Sequence, residues 1–315
     1  MSPFKTLLLV SLFPLLLSFL LSFLFDQRFA VHSTGLILIT GASSGLGEHA
    51  AAKLATTTQF TVYAGVRKQK DADRLKSTYP NIRTVLLDVT SATSIAAAVH
   101  TVVTANPTLP FVALVNNAGV QSDLPIELQN GQDDRWNYNV NVFGLMDVTR
   151  AFLPALRATG DGARIVNMGS LAGIVASPGS ASYSGSKFAV EGISDALRRE
   201  VQPFRISVSI VQPGYVQSKM GSKAHSASAS SYGVTETQYA LYKHVFEGFF
   251  QEDRQLSLDE NAASPDTTTT RAIFAAILSN RPKTRYVVAN VGPFPAWVVA
   301  ALANVLPDRV FDLIV

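Results

Sequence analysis

Residues 36–47 read Leu36-Ile37-Leu38-Ile39-Thr40-Gly41-Ala42-Ser43-Ser44-Gly45-Leu46-Gly47, four apolar residues running straight into a glycine-rich turn. A continuous apolar run of this length fits a strand buried on both faces. Beyond the turn, His49, Ala50, Ala51 and Leu54 carry helical apolar spacing. The unit is therefore strand, turn, helix. Its glycines let backbone N–H groups approach a pyrophosphate, and the helix N-terminus adds partial positive charge. The spacing is Gly-x-x-x-Gly-x-Gly, not the more familiar Gly-x-Gly-x-x-Gly, so on this stretch alone a plain tight β-to-α turn stays open.

Outward from that unit, short β-rich runs recur at residues 61–65, 83–87, 111–115, 164–168, 206–211 and 285–289, with helical patterns between them. Seven such strands separated by helices predict a seven-stranded parallel sheet covered on both faces, a doubly wound α/β single domain. We place it at residues 35–291, between an N-terminal segment, 1–30, and an apolar C-terminal segment, 292–315. The serine-rich stretch 222–233 follows the sixth strand and is either a ligand-covering loop or a plain solvated one.

The ends are apolar. Residues 6–25 contain no charged side chain, which is the length of one membrane-spanning helix. A cleaved signal peptide has a shorter apolar core and a small-x-small site. An uncleaved anchor is the preferred reading. Residues 292–315 are cut by Pro293, Pro295 and Pro307 and carry Asp308, Arg309 and Asp312; they are too interrupted to span, and read either as an interfacial segment or as a terminal helix packed on the core.

Composition narrows the chemistry. Hydrophobic residues make up 47% and charged residues 16%, too apolar for disorder. The net charge is only +3, so nucleic acid is not an expected partner. There is no cysteine, and none of the five histidines stands three to five residues from another. This excludes disulfides and thiolate nucleophiles and gives no metal site.

The glycine loop Thr40–Gly47 resembles the cofactor loop of the short-chain dehydrogenase/reductase family, and further motifs follow in that family's order. Asp88, in Leu87-Asp88-Val89-Thr90, resembles the residue that contacts adenine. Asn116-Asn117-Ala118-Gly119 resembles the signature that supports the central sheet and flanks the cofactor, and Pro213-Gly214 resembles the turn near the nicotinamide. The resemblance implies a Rossmann fold and a nicotinamide dinucleotide touched by Gly41, Ser43, Ser44, Gly45, Leu46, Gly47, Arg67, Asp88, Val89, Asn116, Ala118, Gly119, Tyr183, Lys187, Pro213, Gly214 and Val216.

NAD-selective members carry an acidic residue after the second strand; here the run is Ala64-Gly65-Val66-Arg67-Lys68. Arg67 suits a 2′-phosphate, and Ser43 or Ser44 can add a hydroxyl, so NADP(H) is the expected cofactor. Tyr183 and Lys187 stand at i and i+4 on one helix face. A tyrosine needs a fixed ammonium beside it to exchange a proton near neutral pH. Tyr239 and Lys243 share that spacing, with Ser226 thirteen residues upstream of Tyr239, but Ser170 ends a strand thirteen residues before Tyr183 and decides for the first pair. Asn141 resembles the fourth catalytic residue, with Asn139 as the alternative. The resemblance implies a Tyr183-Lys187-Ser170-Asn141 mechanism, with Ser170 holding the substrate oxygen.

The stretches after Ser170 and Pro213 are small, apolar or serine-rich, which fits a lipophilic small-molecule substrate. The chain is most similar to the membrane-associated retinol and hydroxysteroid dehydrogenase branch, with retinoid, steroid and long-chain lipid substrates all open. A reductase of small polar carbonyls and a catalytically idle NADPH sensor are the alternatives. The resemblance also implies a homodimer or tetramer through the helices around Tyr183, and a single-pass protein of the endoplasmic reticulum with its catalytic domain facing the cytosol.

Overall fold

The computed structural model describes residues 27–216, 233–249 and 263–312. In chain order the elements begin β1 (Leu36–Ile39), α1 (Gly45–Thr57), β2 (Thr61–Val66), α2 (Gln69–Thr78), β3 (Arg83–Leu86), α3 (Ala92–Val99) and β4 (Phe111–Asn116). They continue with α4 (Gly131–Tyr138), α5 (Leu145–Thr159), β5 (Arg164–Met168), α6 (Ala181–Glu200), β6 (Ser207–Pro213), α7 (Glu236–Leu241), α8 (Lys243–Phe249), α9 (Thr269–Leu278) and β7 (Arg285–Val288). A two-stranded hairpin, β8 (Asn290–Val291) and β9 (Phe294–Pro295), leads to α10 (Ala296–Val305) and α11 (Asp308–Phe311).

The seven long strands form one parallel sheet in the order β3-β2-β1-β4-β5-β6-β7. Side chains alternate across it. Ile37 and Ile39 join the core under α1, α2 and α9, with Leu54, Leu75 and Ile273. Leu36 and Leu38 join the opposite core with Ile95, Phe152 and Leu156 from α3 and α5. Both faces are thus apolar, which is why the strands read as unbroken hydrophobic runs. Strand order reverses between β1 and β4, and at such a switch point the loops diverge and leave a crevice at the carboxyl edge.

Strand boundaries shift by one or two residues from the sequence reading: β2 and β4 run on to Val66 and Asn116, and β3 stops at Leu86. β7 stops at Val288, because Ala289 takes a left-handed φ of +66° that turns the chain into the β8–β9 hairpin. β6 starts at Ser207 and runs on through Gln212 to Pro213. No helix among the described residues is long and apolar enough to cross a membrane; the run 6–25 and most of the serine-rich stretch 222–233 lie outside the described residues.

At the amino edge of the sheet the N-terminal segment is clamped. Arg164, only 1% exposed, donates from Nη2 to the carbonyl of Ala30 at 2.7 Å and to that of Ser279 at 3.1 Å, and from Nε to that of Ile277. The Phe29 ring lies 5.3 Å from the guanidinium carbons of both Arg164 and Arg205, and its N–H donates to the Asn280 carbonyl. Burial lowers the Arg164 pKa to about 10, so it stays charged at neutral pH. Truncation to alanine leaves both a cavity and three carbonyls without their donor. Arg164→Ala should lose about 3 kcal/mol in chemical denaturation and open residues 27–33 to limited proteolysis.

Candidate active site

The glycine loop is built against the segment that ends β4. Thr40 Oγ1 accepts the backbone N–H groups of Asn117 and Ala118 at 3.0 and 2.9 Å, while Asn117 Nδ2 donates back to the carbonyls of Thr40 and Gly41. This closeness is why glycine is needed. Gly41 has φ +63°, and a Cβ there would lie 2.6 Å from Ala118 Cα; one on Gly47 would lie 2.3 Å from Asn117 Nδ2. Leu46 packs on the core, and Gly45 takes φ +59° as α1 begins.

The loop's donors suit a pyrophosphate. Ser44 caps α1 without a side-chain bond to its N–H groups, so that first turn can receive an anion. Glu48, in the same turn, would repel one, but Arg74 neutralises it with hydrogen bonds of 2.8 Å to both carboxylate oxygens. Arg74 also donates to the Ser43 carbonyl at 2.7 Å, which stiffens the loop.

Asp88 and Arg67 follow β3 and β2 at the same carboxyl edge of the sheet. Asp88 Oδ1 accepts from the N–H and hydroxyl of Thr90 at 2.9 and 2.7 Å. Burial raises its pKa, but the Thr90 bonds and the charge of Arg67 outweigh that and hold it below the ordinary value. Arg67 itself is exposed just past β2, and Val89 is buried. Asn116 is turned inward: its Nδ2 donates to Thr149 Oγ1 and Asn167 Oδ1, both at 2.9 Å. In this segment it is Asn117 that binds the loop.

Tyr183, Lys187, Ser170 and Asn141 come together at the carboxyl edge. Ser170 Oγ accepts the Ala172 N–H at 3.1 Å, and its hydroxyl lies close enough to Tyr183 to favour the phenolate. Lys187, 7% exposed, donates from Nζ to the Met168 carbonyl at 2.8 Å and lies 5.7 Å from the Tyr183 ring centroid. Burial lowers its pKa to about 8 against the pull of Glu191. Burial, joined by the charge of Asp123, pushes Tyr183 up to about 12 against the opposing effect of the Ser170 hydroxyl. Asn141 is 2% exposed in a π-helical turn; its side chain bonds both polar groups of the Val120 backbone and donates to Ser186 Oγ at 3.0 Å. Asn139 is exposed.

The other tyrosine–lysine pair is not on one helix. Tyr239 belongs to α7, which ends at Leu241, and Lys243 opens α8. Tyr239 is 37% exposed and stacks on Phe246.

The C-terminal segment reaches the same edge. Gly214 follows Pro213 and packs so tightly that a Cβ would lie 2.5 Å from the Asn290 carbonyl oxygen. Tyr215 bridges to Asn290, and Val216 to Ala263. Ala296 and Ala300 of α10 pack with Leu171 and Val175, just beyond Ser170, into a small apolar cluster, while Trp297 on the same helix is 62% exposed.

Several participants were invisible to motif reading. Glu191 and Asp195 continue the i+4 line from Lys187 along α6; Arg285 binds both at 3.0 Å, and Gln212 donates to Glu191 at 2.9 Å. Their helical spacing was the available signal. Asp123 and Arg74 gave none.

The tight Gly47 contact gives a test. Gly47→Ala pushes a methyl into the Asn117 amide and should weaken dinucleotide binding about tenfold, roughly 1.4 kcal/mol, by fluorescence titration.

Residues 35–229 match the short chain dehydrogenase family. The NADPH-dependent 3-dehydrocapnine reductase of Ornithobacterium rhinotracheale is 32% identical, over 88% of this chain and 94% of that one. Human retinol dehydrogenase 16 is 32% identical over 79% of each chain. A solved short-chain dehydrogenase from Streptomyces avermitilis superposes with a TM-score of 0.65 at 29% identity, covering 81% of this chain and 87% of that one. A doubly wound seven-stranded sheet with these relatives makes the chain a member of the short-chain dehydrogenase/reductase family, an oxidoreductase of alcohol and ketone groups similar to the retinol and hydroxysteroid dehydrogenase branch.

Proposed function

We propose that the protein uses NADP(H) to interconvert a lipophilic ketone and its alcohol, of retinoid, steroid or long-chain lipid type, by a Tyr183-Lys187-Ser170-Asn141 mechanism. The observation that carries this reading is the Ser170 hydroxyl beside Tyr183, with the buried Lys187 ammonium 5.7 Å from the tyrosine ring centroid. The apolar wall of Leu171, Val175, Ala296 and Ala300 supports a lipophilic substrate, as do relatives named for retinol and for a dehydrocapnine. NADP(H) is supported by the exposed Arg67 where an acidic residue would favour NAD, and by a relative named as NADPH-dependent.

When bound, the reduced nicotinamide supplies a hydride to the carbonyl carbon. Gly41, Gly45, Gly47 and the first turn of α1 would hold its pyrophosphate, Asp88 its adenine and Arg67 the 2′-phosphate. The Ser170 hydroxyl donates a hydrogen bond to the carbonyl oxygen, and Tyr183 passes its proton to that oxygen as negative charge grows there. With a pKa near 12, Tyr183 keeps that proton at neutral pH. Lys187 offsets the phenolate left behind, and Asn141 fixes the turn of α6 that carries both.

The proposal extends to cell location. Residues 1–30 anchor the protein in the endoplasmic reticulum membrane with the catalytic domain on the cytosolic side, and the subunits pair as a homodimer through the helices around Tyr183. Protease digestion of intact microsomes should remove the domain; a shielded domain would refute that topology.

In detergent, NADPH oxidation should follow lipophilic ketones and not small polar carbonyls. Tyr183→Phe should lose about 10²–10⁴-fold in turnover while still binding NADPH. Arg67→Glu should reverse the NADP/NAD preference in kcat/KM. Because Lys187 loses its charge near pH 8, long before Tyr183 ionises, the reductive kcat should fall as pH rises through about 8. Glu191 raises the Lys187 pKa, so Glu191→Gln should move that fall to lower pH.

A further inference from the structure

The helix behind the Ser170 turn is apolar on both sides. α10 carries no charged residue along Ala296–Val305. Its inner side is occupied, because Ala296 and Ala300 are buried against Leu171 and Val175. Its outer side is open. Trp297 is 62% exposed and Val305 78%, and with the exposed Ala301 they stand at i, i+4 and i+8, one stripe along the helix. Phe294, on the hairpin that leads into the helix, is 59% exposed between the exposed Pro293 and Pro295. Asn304 donates its amide to the Ala300 carbonyl at 2.7 Å, inside its own helix. Charge returns at Asp308 and Arg309, on α11.

A helix that is apolar all round belongs in a core or in lipid, and a contiguous patch of large exposed apolar side chains marks a contact surface. A protein partner would form roughly one hydrogen bond per 100–200 Å² of interface. This face offers it little beyond the Trp297 indole N–H. Lipid asks for no hydrogen bonds from the face, and an exposed tryptophan suits the boundary between headgroups and acyl chains, where the ring meets hydrocarbon and its N–H meets water.

The N-terminal segment brings that lipid within reach. Residues 26–28 alone separate the uncharged run 6–25 from Phe29, and a link of that length extends at most about 10 Å. The Phe29 N–H donates to the Asn280 carbonyl, just ahead of β7. β7 is an edge strand of the sheet, and beyond its far end the chain enters α10, whose cluster takes in Val287 and Val291. The tether and the apolar helix thus lie toward opposite ends of one edge strand, Arg285–Val288, three steps of about 3.3 Å. A bilayer that holds the run 6–25 and lies along this edge meets the outer side of α10.

We propose that the outer side of α10 and the Phe294 turn dock on the bilayer surface, with Phe294, Trp297 and Val305 in the boundary between headgroups and acyl chains, and that the lipophilic ketone passes from the bilayer to Ser170 along this helix. The inference rests on the membrane anchor and lipophilic substrate proposed above and adds the surface through which one reaches the other. The inner side of α10 belongs to the apolar wall beyond Ser170, so lipid and that wall are one helix diameter apart, about 10 Å.

The chain has two tryptophans, Trp136 and Trp297, so Trp136→Phe leaves Trp297 as the reporter. In phosphatidylcholine nanodiscs holding the full chain, lipid brominated near the head of the acyl chain should quench its emission by about half or more, and aqueous iodide should quench it little. Quenching by iodide and not by bromolipid puts the helix in water; quenching by neither means that protein covers it, a second copy or residues 1–26. Either result overturns the inference. An alkaline wash of vesicles carrying the same protein separates this reading from the anchor: a chain washed off although bromolipid quenches refutes the anchor alone, and a chain retained without quenching refutes the docking alone. Trp297→Glu combined with Val305→Glu should lower kcat/KM for a long-chain ketone dissolved in the nanodisc by about tenfold, yet stay within about twofold of wild type in detergent, where micelles carry the ketone. An equal fall in both settings, or in neither, also overturns the docking.

Discussion

The Thr40 hydroxyl accepts two backbone N–H groups from the end of β4, and this contact sits where the strand order reverses. The crevice exists because the loops after β1 and β4 part there, yet their first residues are pinned together. If they were not, the glycine loop would have no fixed wall and the first turn of α1 would have no fixed aim. The glycines follow from the pin: a side chain at 41 or 47 would push the two segments apart.

From that pin the polar groups form a continuous band under the carboxyl edge. Asn116 joins β4 to Asn167 on β5, and Asn167 donates to Ser194 on α6 at 2.8 Å. Along α6, Lys187 is tied to the end of β5 and Glu191 to Gln212 and Arg285. Each bond is costly to leave unmade in a dry interior, so the band fixes the helix carrying Tyr183 relative to three strands at once. The reacting groups are held by the sheet rather than by loops.

The strands were legible because both faces of the sheet are buried and each strand is a run of apolar residues. The grouping of Tyr183, Lys187 and Ser170 was legible because one helix spacing and the turn just after β5 place them. Asn116 shows the limit: a motif marks the segment but not which asparagine turns inward, since that depends on Thr149 and Asn167, 33 and 51 residues away. Arg164 and Asp123 were silent for the same reason. A buried charge is defined by what surrounds it, and for Arg164 the carbonyls come from positions 30, 277 and 279. Tyr239 and Lys243 failed in the opposite way, because spacing counts only while one helix continues.

β5 has two jobs at its two ends. Arg164 at its start grips Ala30 and Phe29, and Met168 at its finish holds Lys187; four steps of about 3.3 Å separate them, roughly 13 Å. A pull on the N-terminal segment is therefore taken up at the amino edge of the sheet, at the opposite end of β5 from the carbonyl that holds Lys187. The head can be tethered, swung or re-hung on a different leash without retuning its chemistry, so what precedes Phe29 is mechanically free to diverge.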